Sequence, residues 1–477
     1  MSNYKTHSLL FLSVIILITG LVLGVTTIFG ILPMTGIVLF LMAALITVLY
    51  KKVYHIVVLS GIWLLFCVLV EPSPSDILLC TALLLGFVTG HYRPKLYGPA
   101  LFVVLLFFAY FITCIPGIFI SADSNSALRY LAITLFLIVM ALFICTYIQR
   151  HNIDSILRAY ILAAFLSFLV GLIGYSGILS NWLMADAYRV KGLFKDPNVF
   201  GPFFVPAILL VISDINQRVL LKTPIVVHIL LVVFLSIGVI FSFSRGAWIN
   251  LVISLFFYFL LNGELAKLLK PKRLITVIII LLIFVSLLFS PPLMNTGISD
   301  FLLERAKLQD YDQNRFNSQR GGLQLALNNP MGVGSGQFEN EIAEITKYRL
   351  SAHSLYIRTV SENGFAGFIF LFAALGYILM SMLRLYKLKQ PGFAAVSYHL
   401  DYIAASFEKD NTIPSKLNFR VAFSPYLNPV KSIENPALAA IIAVIFGLLV
   451  SSLMIDTIHW RHFWFFIGVG MHFINRK

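Results

Sequence analysis

Long apolar runs alternate with short polar breaks from one end of this chain to the other, and the runs measure about 15 to 22 residues. A helix crossing the hydrocarbon core of a bilayer needs roughly 20 apolar residues. The pattern therefore predicts helices at about 8–28, 33–50, 54–70, 76–90, 98–115, 130–148, 157–175, 199–213, 224–242, 247–262, 273–290, 353–383, 437–455 and 462–475. The expected fold class is all-α: a polytopic integral membrane protein with about 12 to 14 transmembrane helices, several of them short enough to be tilted, paired or re-entrant. The first run lacks a small-residue cleavage site followed by a soluble region, so it is expected to stay as the first helix.

Two of the breaks are long. Residues 291–352 form a large loop on one side and 384–436 a large loop on the other, and extended loops in compact proteins are functional or disordered. The first contains stretches at 301–306 and 321–327 apolar enough for short helices lying on a membrane surface. The second mixes lysines with Pro414, Pro425, Pro429 and Pro436 and carries no interpretable constellation. The expected organisation is a set of N-terminal transmembrane helices over 1–180, then a second membrane region over 181–475 that includes both loops.

Composition agrees with a membrane solvent: 59% of residues are hydrophobic, 12% are charged, and the mean hydropathy is +0.90. The net charge of +14 does not point to nucleic acid, because such a binder gathers basic residues on a water-facing surface. Here they punctuate the apolar runs. With the N-terminus inside, the inner breaks hold 22 of the 35 Lys and Arg and 7 of the 21 Asp and Glu. The positive-inside rule then places both termini in the cytoplasm and the 291–352 loop outside it. Cys67, Cys80, Cys114 and Cys145 fall inside or at the edge of apolar runs, without the paired spacing of zinc or redox sites, and read as core packing.

Three polar patches collect on the extracytoplasmic side. Ionisable groups are costly beside a bilayer, so their clustering at helix ends marks a functional site. In the first patch, Arg189 and Lys191 precede Gly192, and Pro197 and Asn198 open the next helix. Proline suits a first turn, and helix N-termini offer free N–H groups to anions. A guanidinium adds a permanently charged fork for phosphate oxygens. The alternative is a pair of interfacial cations gripping lipid headgroups. In the second patch, Ser244-Arg245-Gly246, the arginine lies between two apolar runs with almost no loop. It must reach the interface or pair inside the bundle, unless it simply anchors a hairpin.

The third patch runs from Arg315 to His353. Arg315 and Arg320 are five apart on a helix expected to begin near Asn314, so they need not share a face. Gly332-Val333-Gly334-Ser335-Gly336 is neither a dinucleotide fingerprint nor a P-loop and reads as a tight backbone turn. His353 opens a long apolar helix in which Arg358 and Glu362 are spaced to pair. Histidine exchanges protons near neutral pH, and a helix N-terminus favours its neutral, basic form. Glu339, Glu341 and Glu344 read as a solvated helix face, one of which could assist that base. Asp456 through Trp464 adds a charged and aromatic lip.

The order, spacing and shared sidedness of these features resemble the O-antigen ligase and O-antigen polymerase superfamily of bacterial envelope glycosyltransferases. The matching residues are Arg189, Gly192 and Phe194 with Pro197-Asn198, Ser244-Arg245-Gly246, Arg315 ahead of Asn329-Pro330, Gly332 to Phe338, His353 with Glu362 and Gly364, and Asp456 to Trp464. The resemblance covers about 185–475; the first half matches only as generic hydrophobic helices. It implies a multi-pass protein of the bacterial cytoplasmic (inner) membrane that takes a glycan from an undecaprenyl diphosphate carrier. The glycan passes to an acceptor hydroxyl outside the cytoplasm, by metal-independent, inverting displacement and with no cofactor. In ligases the acceptor is the lipid A core; in polymerases it is another carrier-linked repeat unit.

Carried over residue by residue, the resemblance implies His353 as general base or acceptor-orienting group. Arg245 and Arg315 become electrostatic catalysts, and Arg189, Lys191, Arg245 and Arg320 diphosphate contacts. The family commonly follows its histidine with Asn, where this chain has Ser354. A polytopic transporter is the rival reading from another class. It would place ionisable groups or broken helices near mid-membrane, often in paired halves, whereas here the charges collect at one face. A scaffold or sensor role is the remaining alternative.

Overall fold

The computed structural model describes residues 51–120, 123–264, 297–307, 310–388 and 437–476. Its helices are α1 (Lys51–Trp63, continued by a 3-10 turn, Leu64–Phe66), α2 (Pro74–Val88), α3 (Gly98–Cys114), α4 (Pro116–Ile120), α5 (Ser124–Ile148), α6 (Ile153–Tyr175), α7 (Ser180–Leu183) and α8 (Pro197–Asp214). They continue with α9 (Ile225–Phe241), α10 (Arg245–Leu261), α11 (Ile298–Ala306), α12 (Asp310–Asn328), α13 (Phe338–Thr346), α14 (Leu355–Leu388), α15 (Ala437–Ser451) and α16 (Arg461–Ile474). Among the described residues, β structure is confined to an isolated antiparallel bridge between Met184 and Val190. The all-α membrane fold is thus as expected.

Every predicted apolar run within the described residues is a helix. The runs at 8–28, 33–50 and 273–290 lie outside them, as do 389–436 of the inner loop. Among the described residues, five helices are long and apolar enough to cross a membrane: α3 with its continuation to Phe119, α5, α6, α8 and α14. The apolar parts of α1, α2, α9, α10 and α15 are shorter, at 10–17 residues.

Local chemistry fixes where the helices start. Ser73 and Asp76 form a capping box at α2 with Pro74 in its first turn, and Asp123 caps α5 through the Ser126 amide. Asn152 caps α6 through the Asp154 amide, and Asp196 caps α8 through the Asn198 amide just ahead of Pro197. Each cap satisfies an amide that has no partner within the helix.

Helices from both halves of the chain share one core. α16 packs along α5, α14 along α3, and α8 lies among α6, α9, α10 and α15. α8 is buried on nearly every side and carries Pro202 and Pro206 internally. Membrane helices tolerate such prolines because neighbouring groups satisfy the freed backbone.

The helix ends sort into two groups. At one end, Asn475 accepts from the Tyr97 amide at 2.8 Å and donates to the Lys95 carbonyl at 2.9 Å, which also receives Gln149. At the other end lie the heads of α2, α5, α8, α10, α14 and α16, together with all three polar patches.

The polar loop is ordered by backbone docking. Gly364 interrupts α14 with φ 67° and ψ −175°, so what reads in sequence as one long run is kinked. The glycine-rich turn binds at this break: Val333 N–H donates to Ser361 O and Gly334 N–H to Glu362 O, both at 2.9 Å, while Phe365 N–H donates to Pro330 O at 3.1 Å. Side chains are excluded, because a Cβ on Gly332 would lie 2.4 Å from Glu362 O and one on Gly364 2.4 Å from Pro330 O. The turn also meets the α3–α4 corner, where a Cβ on Gly117 would lie 2.6 Å from the Ser335 amide.

Two local expectations are corrected. The helix expected to begin near Asn314 already includes Asp310, and Asn314 lies inside it. Cys114 and Cys145 are buried as core packing requires, but Cys67 is half-buried and Cys80 exposed, because Cys80 faces outward from α2 toward a groove beside α5.

Candidate active site

The first two patches meet through Asn198. Arg189 Nη2 donates to Asn198 Oδ1 at 3.2 Å, and Ser244 Oγ donates to the same oxygen at 2.8 Å. Arg189 Nε also donates to the Ser242 carbonyl at 3.3 Å, and the Arg189 amide to Asp186 Oδ1 at 2.9 Å. The arginine is therefore braced between the α8 head and the α9–α10 corner. Lys191 lies half-buried in the same segment, its amide bonded to the Leu183 carbonyl. Arg245 leaves that corner for the third patch: it pairs with Asp312 of α12 and donates to the Lys307 carbonyl at 3.3 Å. Gly246 packs so closely on Ile455 that a Cβ would lie 2.6 Å from its Cδ1, which brings the corner beside Asp456.

α12 links these arginines to the histidine. On its inner side Ser318 donates to the Ser351 carbonyl at 2.6 Å. Gln319 donates to the carbonyls of His353 at 3.2 Å and Leu453 at 3.3 Å. The Gly322 carbonyl receives Ser361 Oγ at 2.8 Å. Asp312 and Arg315 precede Gln319 by seven and four residues, so they share this side of the helix. Arg320 lies roughly 140° around the axis from Arg315 and is exposed; the two arginines do not share a face.

His353 sits two residues ahead of α14 with φ 46°, anchored by Leu355 N–H donating to Ser452 O at 3.0 Å. Its charged neighbours are Arg315, Asp196, Arg358 and Glu339. Burial, reinforced by Arg315, holds its imidazole down at about 4, against partial opposition from Asp196. The ring is neutral at physiological pH and able to accept a proton.

Beyond His353 lies a feature that sequence reasoning saw only in part. Arg358 pairs with Glu362 at 2.8 Å as the spacing predicts, but it also pairs with Glu339 and, through Nε, with Asp456 at 2.5 Å. One buried guanidinium thus holds carboxylates from α13, α14 and the α15–α16 turn. The expectation of a solvated face fails for Glu339, which is part of this cluster; Glu344 is exposed. Arg358, Glu339 and Asp456 line a cleft of about 260 Å³ with Ser126, Arg129, Tyr130, Ile133, Gly336 and His459. His459 rests against Tyr130 with ring centroids 4.4 Å apart, its Nε2 3.3 Å from Thr134 Oγ1. Burial, with Arg358 and Arg461 adding to it, lowers His459 to about 3, so it too is neutral.

The rim of this cleft is a second charge network that the sequence did not reveal as one unit. Glu71 binds Lys195 at 2.7 Å and Arg129 at 3.1 Å, with Arg461 at 3.7 Å. Arg461 in turn grips buried Asp76 through Nε at 3.1 Å and Nη2 at 2.7 Å. Burial would raise the Glu71 carboxyl, but Lys195, Arg461 and Arg129 outweigh it and hold it below the ordinary range. The available signal was faint: single charges ending apolar runs, far apart in sequence.

Chemically, the site offers fixed guanidinium groups for an anion, a neutral imidazole among them, and carboxylates with an aromatic wall that suit hydroxyl groups. Residues 230–372 match the family described as O-Antigen ligase. That stretch takes in Arg245, Arg315, Arg320, His353 and Arg358, and leaves Arg189, Lys191 and Asp456 outside it. No curated protein matches the chain. Through residues 230–372, the chain is similar to the O-antigen ligase family.

Proposed function

We propose that this protein transfers a glycan from an undecaprenyl diphosphate carrier to an acceptor hydroxyl at the extracytoplasmic face of the bacterial inner membrane. Both termini lie in the cytoplasm. The 181–475 stretch, with the 291–352 loop outside and the 384–436 loop inside, is the ligase-like membrane region, and the described helices of 51–175 pack against it. The observation that carries this reading is the α12 face, which joins the Arg245 corner to His353 through Asp312, Arg315 and Gln319.

Arg189, Arg245 and Arg315 hold the donor diphosphate, with Lys191 and Arg320 as outer contacts along its path. Departure of the carrier throws negative charge onto the diphosphate as the anomeric C–O bond breaks, and preorganised guanidinium groups stabilise that charge. Metal independence belongs to the same reading, since the arginines supply the positive charge. The acceptor oxygen attacks from the opposite face, inverting the anomeric centre, and His353 takes its proton. Donor binding prepares that step: a diphosphate on Arg315 cancels one of the influences that lower the imidazole, so its basicity rises once the substrate is in place.

The acceptor in the ligase reading is the lipid A core; in the polymerase reading it is a carrier-linked repeat. Deletion of the gene followed by envelope glycan profiling tests both. Carrier-bound polymer missing from the lipid core identifies a ligase, and single repeats on the core identify a polymerase. Arg245→Ala and His353→Ala, each expressed at normal level, should reproduce the deletion. Full complementation by both variants overturns the proposal.

A further inference from the structure

An apolar groove of about 280 Å³ runs between α2 and α5, lined by Leu79, Cys80 and Leu83 on one side and by Ala132, Phe136 and Met140 among others on the other. It begins one turn below the polar cleft on the same helix: Arg129 of α5 lines the cleft, and Ala132, three residues on and adjacent on the helix surface, is the first α5 residue lining the groove. At 1.5 Å per residue, the groove descends roughly 16 Å from Ala132 to Phe143.

Its mouth is cationic. Glu71 stands just ahead of α2 and Arg129 in the first turns of α5. The Arg129 side chain is 67% exposed and that of Lys195 48%, although both touch the Glu71 carboxylate. Three cations, Arg129, Lys195 and Arg461, against two carboxylates, Glu71 and the buried Asp76, leave net positive charge beside the top of a hydrocarbon-lined furrow.

Building on the glycosyl-transfer reading, we propose that this mouth and groove form a second lipid-substrate site. Arg129 and Lys195 take a phosphate or diphosphate, and one polyprenyl chain lies between α2 and α5. Charge complementarity, with Arg129 one turn above the first α5 residue of the groove, argues for the occupant. The site uses side chains other than the Arg189, Arg245 and Arg315 diphosphate contacts. Its glycan would extend from Arg129 into the cleft bounded by Tyr130, His459, Glu339 and Asp456. Such a substrate is the acceptor, and a carrier-linked acceptor selects the polymerase branch.

The test counts bound lipid on the full-length protein by native mass spectrometry, with undecaprenyl diphosphate as probe and dioleoyl phosphatidic acid as diacyl control. Wild type is expected to bind two equivalents of undecaprenyl diphosphate. The Arg129→Gln/Lys195→Gln pair, and separately the groove-filling Ala132→Trp at an exposed position, should each remove one equivalent or weaken it at least tenfold. Arg245→Ala should remove the other. Unchanged binding in both the charge and the groove variants overturns the second site, as does equal competition by phosphatidic acid, which would mark an ordinary headgroup-lipid contact. Loss in those variants with no effect of Arg245→Ala would instead sink the donor-site assignment and leave the second site standing.

Discussion

Arg245 shows what one side chain contributes here. Its guanidinium spans Asp312 and the Lys307 carbonyl, so it arrives at the site already oriented. A lysine cannot reproduce that planar fork. Arg245→Lys is therefore expected to leave less than a tenth of the transfer rate in a reconstituted assay, although charge is conserved; near-normal turnover would reduce Arg245 to a point charge. His353 makes a separate prediction, because its free-protein value of about 4 lies far below the ordinary 6.5. The pH profile of kcat/KM reports the free enzyme, so protonation of His353 should cut activity only as pH falls toward 4. Arg315→Gln removes a cation that disfavours the imidazolium, so it should shift the acidic limb upward while lowering the rate. A limb that stays in place in that variant would separate Arg315 from the histidine.

At the scale of elements, the kink in α14 and the glycine-rich turn depend on one another. Breaking the helix at Gly364 frees backbone groups, and the turn supplies their partners. Because Gly332 has φ 86° and no room for a methyl group, Gly332→Ala should cost at least about 1–2 kcal/mol in local docking. Limited proteolysis would then cut 297–353 faster than in wild type. The buried bidentate pair between Arg461 and Asp76 ties α16 to α2. Removing one partner strands a buried charge, typically at a cost of roughly 3–5 kcal/mol. Arg461→Leu should accordingly lower the melting temperature in detergent by more than the double variant Arg461→Leu/Asp76→Leu does. Equal losses in the single and double variants would show that the pair carries no such coupling.

In the whole molecule, the long-range pairs converge at one end of the bundle. Asp76, Arg129, Lys195, Arg245, Asp312, His353 with Arg358, and Arg461 come from seven separate stretches of chain. Helix-capping and the tight α9–α10 corner bring them to a common level. The polar residues at that end divide into an arginine-rich corner around Asn198 and a mixed-charge cleft around Arg358, with His353 adjoining both. Glycosyl transfer between two lipid-borne molecules requires this kind of division, one pole for the leaving diphosphate and another for hydroxyl groups.

The apolar periodicity by itself determined the helices, because a bilayer demands a minimum run of hydrophobic residues whatever their partners. Pro197 marked the start of α8, and the isolated Arg189, Arg245, Arg315 and His353 stood out because charge is conspicuous against such a background. The α14 kink, the three carboxylates on Arg358, the Glu71 network and the α2–α5 groove were decided only by the tertiary structure. Each depends on which helix ends lie side by side, and that neighbourhood is set by packing across more than three hundred residues of chain between Asp76 and Arg461, a separation over which sequence spacing carries no geometric information.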